Sequence, residues 1–313
     1  VKKALQSLRG FFIADEYHSF YIIVFLTLVN KISNMKTILV PTDFSATAKN
    51  AARFAIELAK QIQAEKIILY NTYQSGFSVV ADPMIPALGA LDLDAIKEGS
   101  EEALVNFKAE LIDYANNSIS LETISEFALL TDGIIELCKM QKVDMIVMGI
   151  TGGGALQENL FGSNTISVAK NINIPVLIIP QKAKFTKFDK VLFACDFHKV
   201  VESTPVKPIK QLLDLTKAKL FVLHVDSFNR ENIPQVKFES LMLDTLFAGY
   251  HPEYHFADFA DFTECINEFV VEKEIDLVIT IPKKHGFFDN IFKRSHTKML
   301  AFHSHVPLMV IHD

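Results

Sequence analysis

Apolar residues recur along this chain in two rhythms. Short, nearly continuous apolar runs, such as Thr37-Ile-Leu-Val-Pro41, Lys66-Ile-Ile-Leu-Tyr70 and Met145-Ile-Val-Met148, alternate with longer stretches in which apolar side chains return every three or four positions. The first rhythm marks strands covered on both faces, the second amphipathic helices. Ala52, Phe54, Ala55, Leu58 and Ile62, for example, share one helical face. The pattern predicts a strand over 36–41, a helix over 45–63, a strand over 66–72, a long loop and a helix to about 115, and a strand over 120–125. A helix over 131–142, a strand over 144–148, a loop, a helix over 163–171 and a strand over 174–180 follow. Strands alternating with helices predict an α/β fold with a parallel, doubly wound sheet and right-handed crossovers.

The pattern occurs twice. Lys36-Thr-Ile-Leu-Val-Pro-Thr-Asp43 aligns with Asp189-Lys-Val-Leu-Phe-Ala-Cys-Asp196, and Lys66-Ile-Ile-Leu-Tyr-Asn71 with Lys219-Leu-Phe-Val-Leu-His224. Val143-Asp-Met-Ile-Val-Met148 aligns with Ile275-Asp-Leu-Val-Ile-Thr280, and Ile174-Pro-Val-Leu-Ile-Ile179 with Val306-Pro-Leu-Met-Val-Ile311. Paired strand signals in the same order read as a tandem duplication. The copies span 35–181 and 188–313, with a polar linker between them and a shorter excursion after the second strand of the second copy.

Residues 1–34 depart from this rhythm. Ser19 to Val29 is an apolar run of about eleven residues, against the twenty or so that cross a bilayer. Asp15, Glu16 and His18 precede it, and no small-residue cleavage site follows, so a signal peptide fits poorly. The expectation is a start codon assigned too far upstream, with Met35 opening the regular domain; an amphipathic or partner-binding extension is the alternative.

Composition narrows the function classes. Half of the 313 residues are apolar and 22% are charged, as in a soluble globular protein with a large core. A net charge of −6 argues against general nucleic-acid binding. Cys138, Cys195 and Cys265 are odd in number and far apart, so they indicate neither a disulfide framework nor a zinc site but reduced thiols, hence a cytoplasmic location. Nine of the ten histidines follow residue 197. His251 and His255 would share a face of a strand, with no third ligand evident.

The candidate chemistry lies at two strand ends in the first copy. Pro41-Thr42-Asp43-Phe44-Ser45 follows the first strand, and a loop from Gly149 to Ser163 follows the fourth. In that loop Gly149 and Gly152 are separated by two residues, and nine more precede Gly162-Ser163, where a helix begins. A strand, a glycine-rich loop and a helix N-terminus make a phosphate cradle: glycines admit close backbone approach, and the first helical N–H groups lack internal partners. Ligands of such sheets bind beyond the carboxyl ends of the strands, where the order reverses. If the first and fourth strands flank that point, Asp43 faces the glycine loop and can accept hydrogen bonds from a ribose hydroxyl or an adenine amine. A blander role is also open, since Asp43 or Ser45 can cap the following helix. The loop is neither a Walker A motif, lacking its Lys, nor a dinucleotide fingerprint, which follows the first strand.

Val-Pro-Thr-Asp-Phe-Ser45, together with Gly149-x2-Gly152-x9-Gly162-Ser163, resembles the universal stress protein family, in its ATP-binding branch and its tandem form. The resemblance covers nearly all of 35–313. It implies two tandem five-stranded parallel sheets of order 3-2-1-4-5, an adenine-nucleotide alpha-hydrolase-like fold, joined through their terminal strands as an internal pseudo-dimer; a homodimer stays open. It implies ATP as ligand, with Mg2+ or Mn2+ bridging the phosphates. Asp43 would hold the adenosine end with Pro41 and Thr42, while Thr72 and Met148 would line the adenine pocket. Gly149, Gly152, Gly162 and Ser163 would cradle the phosphates, with Asn164 and Thr165 adding helix N-terminal donors.

The second copy breaks the pattern. Ile281 stands where Gly149 stood, Lys284 where Gly152 stood and Arg294 near Gly162, while Asp196 persists. Lost nucleotide binding is the expectation there, with an anion site of Lys283, Lys284, Lys293 and Arg294 as the alternative. In the first copy, the loop from Gly149 to Thr165 carries Glu158 but no Lys or Arg to clamp a transferring phosphoryl group. A nucleotide-binding regulatory protein with little turnover is therefore expected ahead of a slow ATPase or other ATP-using enzyme, and ahead of a purely structural module.

Overall fold

The computed structural model describes residues 35–74, 93–116, 118–151, 161–195, 197, 199–226, 234–258, 262–282 and 305–312. Met35–Asp313 is one compact unit. The expectations for residues 1–34 fall outside the described residues. No helix among those described is long and apolar enough to cross a membrane.

The first half runs β1 (Thr37–Pro41), α1 (Ala46–Ile62), β2 (Lys66–Tyr73), α2 (Leu93–Ala115), β3 (Ser120–Phe127), α3 (Leu130–Met140), β4 (Met145–Gly149), α4 (Ser163–Asn171) and β5 (Val176–Ile179). The second runs β6 (Lys190–Ala194), α5 (Val200–Ser203), α6 (Val206–Thr216), β7 (Lys219–Asp226), α7 (Pro234–Leu246), β8 (Glu253–Asp258), α8 (Phe262–Lys273), β9 (Leu277–Thr280) and β10 (Leu308–Val310). Where the resemblance implies two five-stranded sheets joined through their terminal strands, there is one continuous sheet of ten strands, in the order β3-β2-β1-β4-β5-β10-β9-β6-β7-β8. The physical reason lies at β5 and β10. Both are short and wholly apolar, and as terminal strands each would expose a row of unpaired backbone groups. They pair antiparallel instead, Val176 with Val310, Leu177 with Met309 and Ile178 with Leu308, all six side chains buried. Every other strand pairing is parallel.

Alternation along the strands divides the core between the two faces of this sheet. Ile38, Val40, Ile67, Leu69, Met145 and Val147 pack under α1 and α2, in a cluster that continues under α6 and α7. Leu39, Ile68, Tyr70, Ile146 and Met148 pack under α3 and α4, in a cluster that continues under α8. Each fully buried Leu, Ile or Val contributes roughly 1.5–3 kcal/mol, so these two continuous clusters hold both halves in one sheet.

The halves repeat one frame. Thr37 pairs with Lys66 and Ile38 with Met145; at the aligned positions Lys190 pairs with Lys219 and Val191 with Leu277. Asp144 accepts the backbone N–H groups of Lys36 and Thr37 at 2.9 and 3.1 Å, and Asp276 accepts those of Asp189 and Lys190 at 3.0 and 2.9 Å. Each aspartate thus ties the start of the fourth strand of its half to the start of the first. Helix α1 also grips the segment joining the halves. Asn50 Nδ2 donates to the carbonyls of Pro180, Gln181 and Ala183, and Gln61 exchanges hydrogen bonds with the backbone of Phe188.

Candidate functional site

In the first half the strand order reverses between β1 and β4. A cavity of about 500 Å³ opens at their carboxyl ends. Pro41, Thr42, Asp43, Thr72, Met148, Gly149, Gly162, Ser163, Asn164 and Thr165 all line it. These are the candidate residues of the sequence, brought together from β1, β2, β4 and α4; Gly152 lies outside the described residues.

The loop after β1 is built by local hydrogen bonds. Thr42 N–H donates to Tyr70 O at 2.8 Å, and Thr42 Oγ1 accepts from Phe44 N–H at 3.0 Å. Phe44 takes the left-handed conformation at φ 64° and lays its ring edge-on to Phe107, 5.8 Å between centroids. Ser45 is the cap of α1: its Oγ accepts from Ala48 N–H at 3.2 Å. Asp43 is therefore not the cap. Its Oδ1 accepts from Ser45 N–H at 3.1 Å, which fixes the turn, and the residue remains exposed at the cavity.

Gly149 has a packing role that the sequence did not announce. A Cβ there would lie 2.6 Å from Thr47 Cγ2 and 3.2 Å from the Thr47 backbone. The glycine lets the first turn of α1 close against the end of β4. Thr165 is likewise committed, since its buried hydroxyl donates to Gly149 O at 2.9 Å and holds α4 to the strand end. Gly162 caps α4 in an extended conformation and offers no side-chain acceptor to the first-turn N–H groups. That turn, with exposed Ser163 and Asn164, forms one wall of the cavity. Unpartnered first-turn donors and the helix dipole both favour an anion there.

Four lining residues were not singled out from the sequence: Ala48, Asn71, Leu130 and Thr151. Asn71 tethers the site, donating from Nδ2 to Thr42 O at 2.7 Å while its Oδ1 accepts from Ser100 Oγ at 2.7 Å. It is the first polar residue at the end of an apolar strand, a signal that was available. Leu130 arrives from the start of α3, which nothing in the glycine loop foretells. Among the described lining residues none is basic, and Asp43 is the one acid.

At the aligned point of the second half, Cys195, His224, Thr280 and Ile281 are all buried. Asp196, Lys284 and Arg294, and the anion-site alternative, lie outside the described residues. His251 precedes β8 rather than sharing a face with His255, whose Nε2 lies 2.8 Å from Glu253 Oε1. Among the described residues no cluster of three or more His, Cys, Asp or Glu side chains could hold a metal ion.

A parallel doubly wound sheet with a glycine-lined crevice at its reversal point defines a class of α/β proteins whose ligand sites lie beyond the carboxyl ends of the strands. Comparison with known proteins is more specific. The sequence profile described as the universal stress protein family matches residues 34–180. Universal stress protein MJ0531 of Methanocaldococcus jannaschii is 32% identical over 151 residues, which cover 48% of this chain and 84% of that protein. Universal stress protein MJ0577 of the same organism is 30% identical over 159 residues, 47% of this chain and 96% of that protein. The chain belongs to the universal stress protein family. The crystal structure of a universal stress protein from Archaeoglobus fulgidus covers 89% of this chain and 98% of its own, with a TM-score of 0.64 at 17% identity, so the shared fold extends into both halves.

Proposed function

We propose that this chain is an ATP-binding regulatory protein in which the nucleotide acts as a ligand or switch with little turnover. The reading places ATP in the first-half cavity, with Mg2+ or Mn2+ bridging its phosphates. It treats 35–181 and 188–313 as two tandem domains joined as an internal pseudo-dimer, of which only the first takes nucleotide. The observation that carries it is the convergence of Asp43, Gly149, Gly162 and Ser163 on one cavity at the reversal point.

The residues fit this ligand. Asp43 is an acceptor suited to ribose hydroxyls or the adenine amine, and the buried Met148 offers an apolar wall for a base. The start of α4 supplies neutral donors for phosphate oxygens. With no basic side chain among the described lining residues, a divalent cation bound with ATP would balance the phosphate charge. The same absence of a clamp supports slow turnover. Matching strand order and register in the two halves support the tandem reading.

Calorimetry with Mg-ATP on the full chain tests the proposal. We expect one site per chain, and a loss of affinity of tenfold or more in Ser163→Asp. That variant sets a carboxylate against the phosphates, yet an acid in the first turn stabilises a helix by about 0.3–1 kcal/mol, so lost binding would not reflect unfolding. Unchanged affinity in Ser163→Asp, or two equivalent sites, would overturn the assignment. Hydrolysis should run far below the enzyme median of about 10 per second.

A further inference from the structure

Beside the reversal-point cavity lies a second chamber of about 670 Å³. Thr72, Leu130 and Asn164 line both, so the two adjoin at the end of β2 and the first turn of α4. Each chamber alone falls within the size range of a small-molecule site, roughly 300–1,000 Å³, so one ATP does not need both.

The chambers differ in chemistry. The second lies between α3 and α4, where Thr131 Oγ1 and Ser167 Oγ are 2.9 Å apart and Asn171 Nδ2 donates to Ser167 O at 2.8 Å. Its polar lining is made of neutral amides and hydroxyls, with Gln74 added, and its one formal charge among the described residues is Asp132. A negative charge without a described cation disfavours phosphate. Clustered neutral donors and acceptors suit the hydroxyls of a sugar, and the exposed side chain of Leu129, also on this wall, offers an apolar surface to a ring.

We propose that the two chambers form one extended site, whose preferred ligand is a nucleotide carrying a second nucleoside or sugar beyond its phosphates. The inference rests on the nucleotide reading of the first chamber. Phosphates held on the first turn of α4 bring whatever follows them past Asn164 and into the second chamber. Adenosine and phosphates occupy the first chamber; the neutral distal group occupies the second.

The test titrates the full chain with Mg-ATP, adenosine 5′-tetraphosphate and diadenosine tetraphosphate. The last two share a phosphate count and differ in the second nucleoside. Diadenosine tetraphosphate should bind at least about tenfold tighter than adenosine tetraphosphate, the worth of one or two net hydrogen bonds. Ser167→Leu, which removes a hydroxyl from the second chamber and sets a bulkier apolar side chain in it, should abolish that difference and leave ATP affinity unchanged. Asn171→Leu, at an exposed position, provides the same reading should Ser167→Leu fail to fold. If ATP binds but the two tetraphosphates bind equally, the extended site is wrong and the nucleotide reading stands. A preference for the dinucleotide that survives in both variants would overturn the assignment to this chamber. If no nucleotide binds, the reading of the first chamber fails, and this inference with it.

Discussion

At the end of β1 the chain turns through Phe44, at φ 64°, and enters a single helix of 17 residues; at the end of β6 it turns through Phe197, at φ 45°, and enters a helix that breaks after four. The break falls at Thr204-Pro205, where proline cannot donate and restricts its predecessor. A tether survives the divergence. Asn71 Nδ2 bonds Thr42 O in the first half, and at the aligned positions His224 Nδ1 lies 3.1 Å from Cys195 O. So do the aspartate ties of the strand starts and the strand register. What changes is the lining of the crevice: Met148-Gly149 becomes Thr280-Ile281. Features that fold the sheet recur in both halves, whereas the small residue that leaves room at the reversal point occurs in one. The lining is therefore separable from the frame, and function is best sought where they part.

The largest effect is expected at the seam that makes the halves one sheet. Met309 is fully buried and in register with Leu177. Met309→Asp places an unpaired charge in that layer, a change that costs about 3–5 kcal/mol. The variant should unfold, or expand in small-angle scattering as the halves part. Wild-type compactness together with a wild-type urea midpoint would show that the halves do not depend on the seam.

A smaller effect is expected from giving the first half the second half's residue. In Gly149→Ile the new side chain meets Thr47, and overpacking of this kind costs about 1–3 kcal/mol. The variant should fold, melt earlier and lose Mg-ATP binding. Retained binding would mean that the glycine serves only the packing of α1. Calorimetry beside a thermal melt separates the two roles.

Strands and helices were legible because continuous apolar runs and the helical period of about 3.6 are written locally in the apolar pattern. The cavity was largely legible too, since Asp43, Gly149, Gly162 and Ser163 lie at element ends where side chains must either cap or bind. The remainder depends on contacts between segments distant in sequence. Leu130 reaches the site from another strand's helix, and Thr47 dictates Gly149 from about a hundred residues away. The antiparallel joining of β5 to β10 reflects two edges that need partners, and an apolar strand carries no mark of which partner it takes. Resemblance, not periodicity, supplied that expectation.

The finest contrast concerns how each half starts its first helix. Ser45 caps α1 from within, one neutral hydroxyl on one N–H. In the second half neither Lys199 nor Pro205 makes a side-chain cap. Instead Glu239, reaching from α7, accepts from Lys199 N–H at 3.2 Å and Val200 N–H at 2.9 Å. One cap is local and uncharged, the other distant and ionic. Ser45→Ala should cost about 1 kcal/mol, with little dependence on salt. Glu239→Ala should cost a similar amount at low ionic strength, and less as salt screens the carboxylate from the helix end. Urea melts of both variants at 0.05 and 0.5 M salt, about 14 and 4 Å of Debye length, make the comparison. Equal salt dependence would mean that the Glu239 contact carries no electrostatic share. The two halves would then start their first helices by the same means after all.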